Sequence, residues 1–186
     1  MTSEALEANL NFDSPDHQYK VPQKRITDMG HLQKFQSSAT CMDLVMFIVE
    51  CQKAVKTTKM TETELPERLQ PFYAYIEKLD LWLDEIPPIE QPMRFGNKAF
   101  RTWLDRVKEN VDADMKEIMT AANPQFSQTD RAIAEMKEYL IDSFGSYERI
   151  DYGTGHELNF YVFLYCLCKI NVCNVNDYKP LINKIF

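Results

Sequence analysis

The sequence predicts an all-α fold in a single helical domain of 186 residues. Apolar residues recur at intervals of three and four in several successive segments, which is the spacing of one face of an α-helix. The chain has no alternating run of useful length, no glycine-rich hairpin signal and no internal repeat, so nothing in it indicates a β-sheet. Its length suits one domain with a substantial core better than two domains.

Two helices are predicted in the first half of the chain. The first begins near Ser37 and gives way to a mostly polar linker over residues 53–63. The second ends at Pro87-Pro88, because proline lacks an amide donor and its ring clashes with the preceding turn. The apolar positions of the first helix are Ala39, Met42, Val45, Met46 and Val49, and those of the second are Leu69, Phe72, Ile76, Leu79 and Leu83.

The third and fourth predicted helices follow a loop over residues 86–96. The third begins at Asn97 and stops near Asn123-Pro124, and the fourth begins within residues 127–130 and ends at Gly145. The apolar positions of the third are Phe100, Trp103, Leu104, Val107, Val111, Met115 and Ile118, and those of the fourth are Ile133, Met136, Tyr139 and Leu140.

The fifth predicted helix begins at Thr154 and is apolar on nearly all sides as far as Ile170. We expect it to be the central buried element. Residues 177–186 look like the start of a sixth helix. At the other end, residues 1–20 are polar, acidic and without periodicity, which predicts a disordered tail before a helical core over residues 21–186.

The overall charge argues against some classes of function. A net charge of −7 and a pI near 5.0 disfavour nucleic-acid binding, which needs a basic surface. The first residues lack the basic and apolar regions of a secretory signal. The longest apolar run, residues 158–170, falls short of the roughly 20 residues that a bilayer requires, so we predict neither export nor membrane insertion.

The five cysteines form an odd set with no spacing typical of a disulfide framework. Reduced thiols predict a protein of the cytoplasm or the nucleus. Cys166 and Cys168, with Cys173 behind them, invite comparison with a zinc site, but they lie in or just after an apolar helix and no histidine follows them. We interpret them as buried apolar side chains and assign no metal ligand.

The most informative stretch is residues 149–157, RIDYGTGHE, where two of only five glycines flank one threonine. Thr154 followed by Glu157 fits a capping box, which alone marks only a helix start. The flanking glycines and Arg149 add to it, because bare amides at a helix N-terminus attract phosphate and a guanidinium can join them. His156 in the first turn is either an acid–base group or a structural histidine beside a helix start.

A second cluster places three cations within ten residues that contain no carboxylate. These cations are Arg94, Lys98 and Arg101, and the last two lie three apart on one predicted helix face. They either contribute to an anion site or pair on a solvated surface with the carboxylates Asp84, Glu85 and Glu90. The chain has no Ser-His-Asp, Cys-His or His-x-x-x-His arrangement, so the catalytic residues stay unknown and the residues alone predict an anion-binding helical domain.

These clusters and their neighbours resemble the phosphotyrosyl phosphatase activator family, the activators of type 2A protein phosphatase. The segment over residues 79–88, LDLWLDEIPP, is similar to the family's helix-ending Asp-Glu-x-Pro-Pro block. Residues 91–103, QPMRFGNKAFRTW, resemble its central signature, and residues 149–157, with 163–169 behind them, resemble the other. Residues 21–30 are similar to the family's entry segment, and all these blocks keep the family's order.

The resemblance implies an all-helical fold with ATP held against the glycine-containing loop. Carried over by motif position, Arg149, Thr154 and Gly155 contact ATP, with Gly153, Arg94, Lys98 and Arg101 as weaker candidates. The family activates the phosphatase catalytic subunit with ATP and magnesium, and we expect that subunit, with its scaffold subunit, as the partner. A peptidyl-prolyl isomerase activity is also attributed to the family.

The resemblance also implies a longer protein. Family members run well over a hundred residues beyond the position of Phe186, and that part includes the magnesium-binding segment. We therefore expect a C-terminally truncated core with half of the nucleotide site. The alternative function is a non-catalytic helical interaction module, in which the basic residues Arg94, Lys98, Arg101 and Arg149 bind an acidic protein partner.

Overall fold

The computed structural model describes residues 11–92 and 96–186, and every regular element in those two ranges is helical. The helices are α1 (Met29–Gln36), α2 (Ala39–Val55), α3 (Gln70–Glu85), α4 (Ala99–Ala122), α5 (Thr129–Ser143), α6 (Thr154–Lys169) and α7 (Tyr178–Pro180). Helix α7 continues as a π-helical turn over Leu181–Ile185, and 3₁₀ turns lie at Met60–Glu62, Glu67–Leu69 and Val175–Asp177. The predicted single all-α domain is confirmed.

The local signals in the sequence place most helix ends within a few residues. The Ser38 side chain caps α2 by accepting from the Cys41 amide, α3 ends at Glu85 two residues before Pro87, and α4 ends at Ala122 just before Asn123. Helix α1 was not predicted. Asp28 caps the helix by accepting from the His31 amide at 2.8 Å. Helix α1 buries no residue, so its sequence has no apolar stripe from which it could be predicted.

Helix α2 buries a different face from the one that its apolar pattern suggested. Met42, Val45 and Met46 are more than half exposed. The core residues of this helix are Leu44, Phe47 and Cys51. Both faces are apolar, so periodicity does not choose between them. Phe47 decides the orientation, because its ring meets Tyr165 and Tyr178 edge-on inside the fold.

Helix α4 contributes more buried residues to the core than any other described helix. Consecutive helices from α3 to α6 pack against each other, and α2 closes the bundle against α6 and α7. We expected α6 to be the central element, yet α4 buries eight residues and α6 buries four. The α4 side chain Trp103 also donates its indole N–H to the carbonyl of Leu79 at 3.1 Å, which joins α3 to α4. No helix in the described ranges is both long and apolar enough to cross a membrane.

A buried ion pair ties the segment before α3 to the segment before α7. Both carboxylate oxygens of Asp177 lie 2.5 Å from one guanidinium nitrogen of Arg68, and a second nitrogen donates to the carbonyl of Val172 at 2.9 Å. Asp177 is 2% exposed and also accepts from the amide of Asn174. The chain's last turns are therefore held by a charge pair that is largely withdrawn from water.

The polar N-terminal segment runs along the start of α5. Asp13 accepts from both the amide and the hydroxyl of Ser127, and these hydrogen bonds lower the pKa of its carboxyl. Arg131 donates to the carbonyls of Pro15 and His17. Polar composition did not indicate these contacts. The first ten residues of the predicted tail lie outside the described ranges.

Candidate functional site

The fold brings the two clusters singled out in the sequence into direct contact. A Cβ at Gly96 would lie 2.4 Å from the carbonyl oxygen of Ile150, closer than any side chain allows. Gly96 also has a φ of +59°, in the left-handed region that glycine adopts readily. Position 96 requires glycine on both grounds, and the loop before α4 therefore lies flat against the loop before α6.

The N-terminus of α4 is closed by side chains of its own loop. Gln91 accepts from the amide of Lys98 at 3.1 Å, and Asn97 accepts from the amide of Ala99 at 3.0 Å. Asn97 is itself held by two hydrogen bonds to the backbone of Ile89. These contacts occupy amides that an anion would need, so the start of α4 offers little to a phosphate.

The N-terminus of α6 is open. Gly153, Thr154 and Gly155 are exposed, and a Cβ at either glycine would meet nothing within 4 Å. No side chain caps this helix, and the structure shows no acceptor within the described chain for the amides of Thr154 and Gly155. Two peptide donors at the positive end of a helix dipole thus face solvent.

The predicted capping box is wrong. Gly153, in extended conformation at φ −162° and ψ 176°, occupies the N-cap position, and Thr154 is already the first helical residue. A cap side chain must stand outside the helix to reach back to its amides, so Thr154 cannot serve. Neither the conformation of Gly153 nor its neighbours require a glycine. Its absent side chain leaves space for a group from outside the chain.

The turn between α5 and α6 is strained. Ile150 has a φ of +53°, which a β-branched residue rarely adopts and which costs about 1 to 3 kcal/mol. Hydrogen bonds within the turn hold this conformation: Ile150 donates to the carbonyl of Ser146 at 2.8 Å, and Ser146 donates to the carbonyl of Asp151 at 2.9 Å. The strained residue lies directly after Arg149.

Arg149 is exposed and paired within its own loop. Its Nε donates to a carboxylate oxygen of Asp151 at 2.8 Å. This hydrogen bond raises the pKa of Arg149 and lowers the pKa of Asp151, so both stay charged at neutral pH. This pairing was not predicted from the sequence, although a carboxylate stands only two residues after the arginine.

The other predicted cations that the structure describes, Lys98 and Arg101, have different surroundings. Arg101 donates to the backbone carbonyls of Tyr147 and Glu148 at 2.9 and 2.7 Å, and Lys98 is exposed at the start of α4. Arg94 lies outside the described residues. The alternative pairings with the nearby carboxylates are not seen for Lys98 or Arg101 in the described ranges, where Glu85 pairs instead with Arg106.

His156 packs against α5 and Tyr152 beside the open start of α6. One ring nitrogen contacts the carbonyl of Asp142, and the ring stacks on Tyr152 with centroids 5.7 Å apart. Asn159 donates to the carboxylate of Asp142, which fixes the same corner of α5. Both packed contacts are those of a structural histidine that joins α6 to α5.

Four of the five cysteines lie in the core or at its edge. Cys51 and Cys173 are buried, and Cys166 and Cys168 are partly buried. Burial raises the pKa of Cys51 and of Cys166 to about 12, which keeps both thiols protonated and unreactive. The described residues contain no group of three or more His, Cys, Asp or Glu side chains placed to hold a metal ion.

Comparison with known proteins matches nearly the whole chain to one family. Residues 22–186 match the family model described as phosphotyrosyl phosphate activator (PTPA) protein. The chain belongs to this activator family. Both loops of the candidate site, before α4 and before α6, lie inside the matched range.

Named relatives agree with the match to the activator family. The chain is 33% identical over 175 residues to "Probable serine/threonine-protein phosphatase 2A activator 1" of Dictyostelium discoideum, covering 94% of this chain and 52% of that protein. It is 32% identical over 167 residues to the serine/threonine-protein phosphatase 2A activator of Drosophila melanogaster, covering 88% and 40%. The chain thus spans about half the length, or less, of these curated relatives.

A solved structure has the same fold. The crystal structure of the PP2A phosphatase activator Ypa1 superposes with a TM-score of 0.75 at 25% sequence identity, over 92% of this chain and 55% of that chain. The helical arrangement is therefore that of the activator family.

Proposed function

We propose that this chain is an activator of type 2A serine/threonine protein phosphatase that binds ATP at the start of α6. The observation that carries the nucleotide proposal is the contrast between the two helix starts in the site. The amides of α4 are occupied by Gln91 and Asn97, whereas the amides of Thr154 and Gly155 face solvent. Of these two helix starts, the start of α6 is the one whose described amides are left unpaired for an anionic group.

The phosphates of ATP would accept hydrogen bonds from three groups of this chain. The amides of Thr154 and Gly155 point along the helix axis toward them, and Arg149 is four residues from the cap. Arg149 would exchange its contact with Asp151 for a phosphate oxygen, since a charge-assisted hydrogen bond to phosphate can replace one to a carboxylate. Asp151 would then compete with the nucleotide for the same guanidinium.

The activator proposal includes a protein partner, the phosphatase catalytic subunit with its scaffold subunit. Relatives named as phosphatase 2A activators support it. Magnesium, which the resemblance implies together with ATP, stays a prediction, and we assign no ligand for it among the described residues. The isomerase activity that the resemblance implies stays a prediction, since no described residue is assigned to it.

The interaction-module alternative receives less support from the geometry. Its basic patch needs Lys98, Arg101 and Arg149 to present free cationic groups together. Two nitrogens of Arg101 are engaged by backbone carbonyls, and Arg149 is paired with Asp151. The remaining cation of the described patch, Lys98, would make a weak anchor by itself.

Two substitutions should change ATP affinity in opposite directions. Arg149→Ala removes a phosphate donor and is expected to weaken binding about tenfold. Asp151→Asn removes the competing carboxylate and one negative charge beside the phosphates, and it should tighten binding about threefold. Isothermal titration of ATP into the purified chain measures both.

The matched controls are Lys116→Ala and Asp130→Asn, which break an exposed ion pair between α4 and α5. They make the same changes in net charge away from the site and should leave ATP affinity within about twofold. If all four variants bind ATP as wild type does, or if wild type binds none, the nucleotide proposal is wrong. Capture of the phosphatase catalytic subunit by wild type tests the partner separately, and no capture would contradict it.

A further inference from the structure

Arg101 reaches across from the first turn of α4 to the turn that precedes α6. Its Nε donates to the carbonyl of Tyr147 at 2.9 Å and one terminal nitrogen donates to the carbonyl of Glu148 at 2.7 Å. The guanidinium also lies over the Tyr147 ring, 5.6 Å from its centroid. Two consecutive carbonyls are thus bound by one planar group, and the next residue in the chain is Arg149.

The turn needs such support because its conformation is unfavourable by itself. Ile150 lies in the left-handed region, and strained residues persist only where the surrounding structure fixes them from several sides. One side is supplied by Gly96, which is in contact with Ile150. The hydrogen bonds of Ser146 close the turn from within. Arg101 holds the backbone on another side, next to Arg149, while Asp105 and Lys108 of α4 contact only the side chain of Tyr147.

We propose that Arg101 is a positioning residue for the anion site and not one of its phosphate ligands. It holds the carbonyls of residues 147 and 148, and this fixes where Arg149 and the amides of α6 stand when ATP arrives. This inference rests on the proposed ATP site and assigns to Arg101 a role that differs from that of the other cations. Its fork geometry is what the role requires.

Lysine separates the two roles that a cation can play at position 101. A lysine keeps the positive charge but offers a single nitrogen, which cannot donate in plane to two consecutive carbonyls. If Arg101 positions the turn, Arg101→Lys should lose as much ATP affinity as Arg101→Ala, about tenfold for two lost hydrogen bonds. If Arg101 were a phosphate ligand, the lysine variant would keep most of the affinity.

Hydrogen exchange gives a readout that does not depend on ATP. In Arg101→Lys the amides of Ser146 and Ile150, which close the turn, should exchange about tenfold faster than in wild type, while amides of α4 stay protected. The control is Arg106→Lys on the same helix, whose guanidinium contacts Glu85 instead of the turn. This control should leave both ATP affinity and the exchange of the turn unchanged.

The outcomes distinguish the positioning role from the proposed function. Unchanged exchange at Ser146 and Ile150 in Arg101→Lys overturns the positioning role, and so does ATP affinity restored by lysine but not by alanine. If wild type takes up no ATP, the proposed function fails, and hydrogen exchange alone then decides whether Arg101 orders the turn. The thermal unfolding midpoint of each variant shows whether a loss of ATP affinity comes from a loss of folding.

Discussion

Replacing Arg68 with alanine is expected to destabilise the fold by about 3 kcal/mol, the low end of the cost of breaking a buried ion pair. The substitution leaves the Asp177 carboxylate, 2% exposed, without its guanidinium partner, and it also leaves the carbonyl of Val172 without its donor. The low end applies because the Arg68 side chain is 32% exposed and part of its charge is already solvated. Urea unfolding followed by circular dichroism measures the change.

The control for Arg68 is Lys116→Ala, which breaks an ion pair with Asp130 on the surface of α4 and α5. Both side chains there are more than half exposed, so the loss should stay below about 1 kcal/mol. A loss as small for Arg68→Ala as for the control would show that the pair does not hold the chain's last turns. The double variant Arg68→Ala with Asp177→Ala should recover part of the stability, since no charge is then left buried.

Replacing Gly96 with alanine should cost about 2 kcal/mol or more of folding stability. An L-residue in the left-handed region costs roughly 1 to 2 kcal/mol, and the new Cβ would overlap the carbonyl and side chain of Ile150. The two loops of the site must then separate. We therefore expect weaker ATP binding together with the lower unfolding midpoint.

Gly155→Ala is the matched substitution with the opposite expectation for stability. Gly155 lies in the first turn of α6, where a Cβ meets nothing, so alanine should stabilise the fold by about 0.5 to 1 kcal/mol through its higher helix propensity. The same methyl group would crowd the bare amides and lower ATP affinity. Equal effects of alanine on stability at positions 96 and 155 would contradict the described contact between the two loops.

The sequence was sufficient to predict most of the helices because their signals are local. Proline pairs, cap residues and apolar spacing placed the ends of α3, α4 and α5 within a few residues. It was not sufficient to orient α2, whose two apolar faces differ only in their tertiary partners. Helix α1 was missed for the related reason that it buries nothing and so carries no stripe.

For the candidate site, the sequence singled out two loops, but it could not show that they meet. The contact of Gly96 with Ile150 and the two hydrogen bonds from Arg101 span more than forty residues of chain. Spacing along the chain grouped Arg101 with Lys98 on one helix face and carried no sign of its contacts with residues 147 and 148. The capping box was wrong because one residue of register moves Thr154 from the cap into the helix.

If open amides at the start of α6 bind the phosphates of ATP, their environment must change when the nucleotide arrives. The backbone amide resonances of the isotope-labelled chain can be followed as ATP is added. The resonances of Thr154 and Gly155 should move in a saturable way, while those of Lys98 and Ala99, already bonded to Gln91 and Asn97, should stay in place. Saturating ATP that leaves Thr154 and Gly155 unmoved, or that shifts the start of α4 instead, would contradict the account.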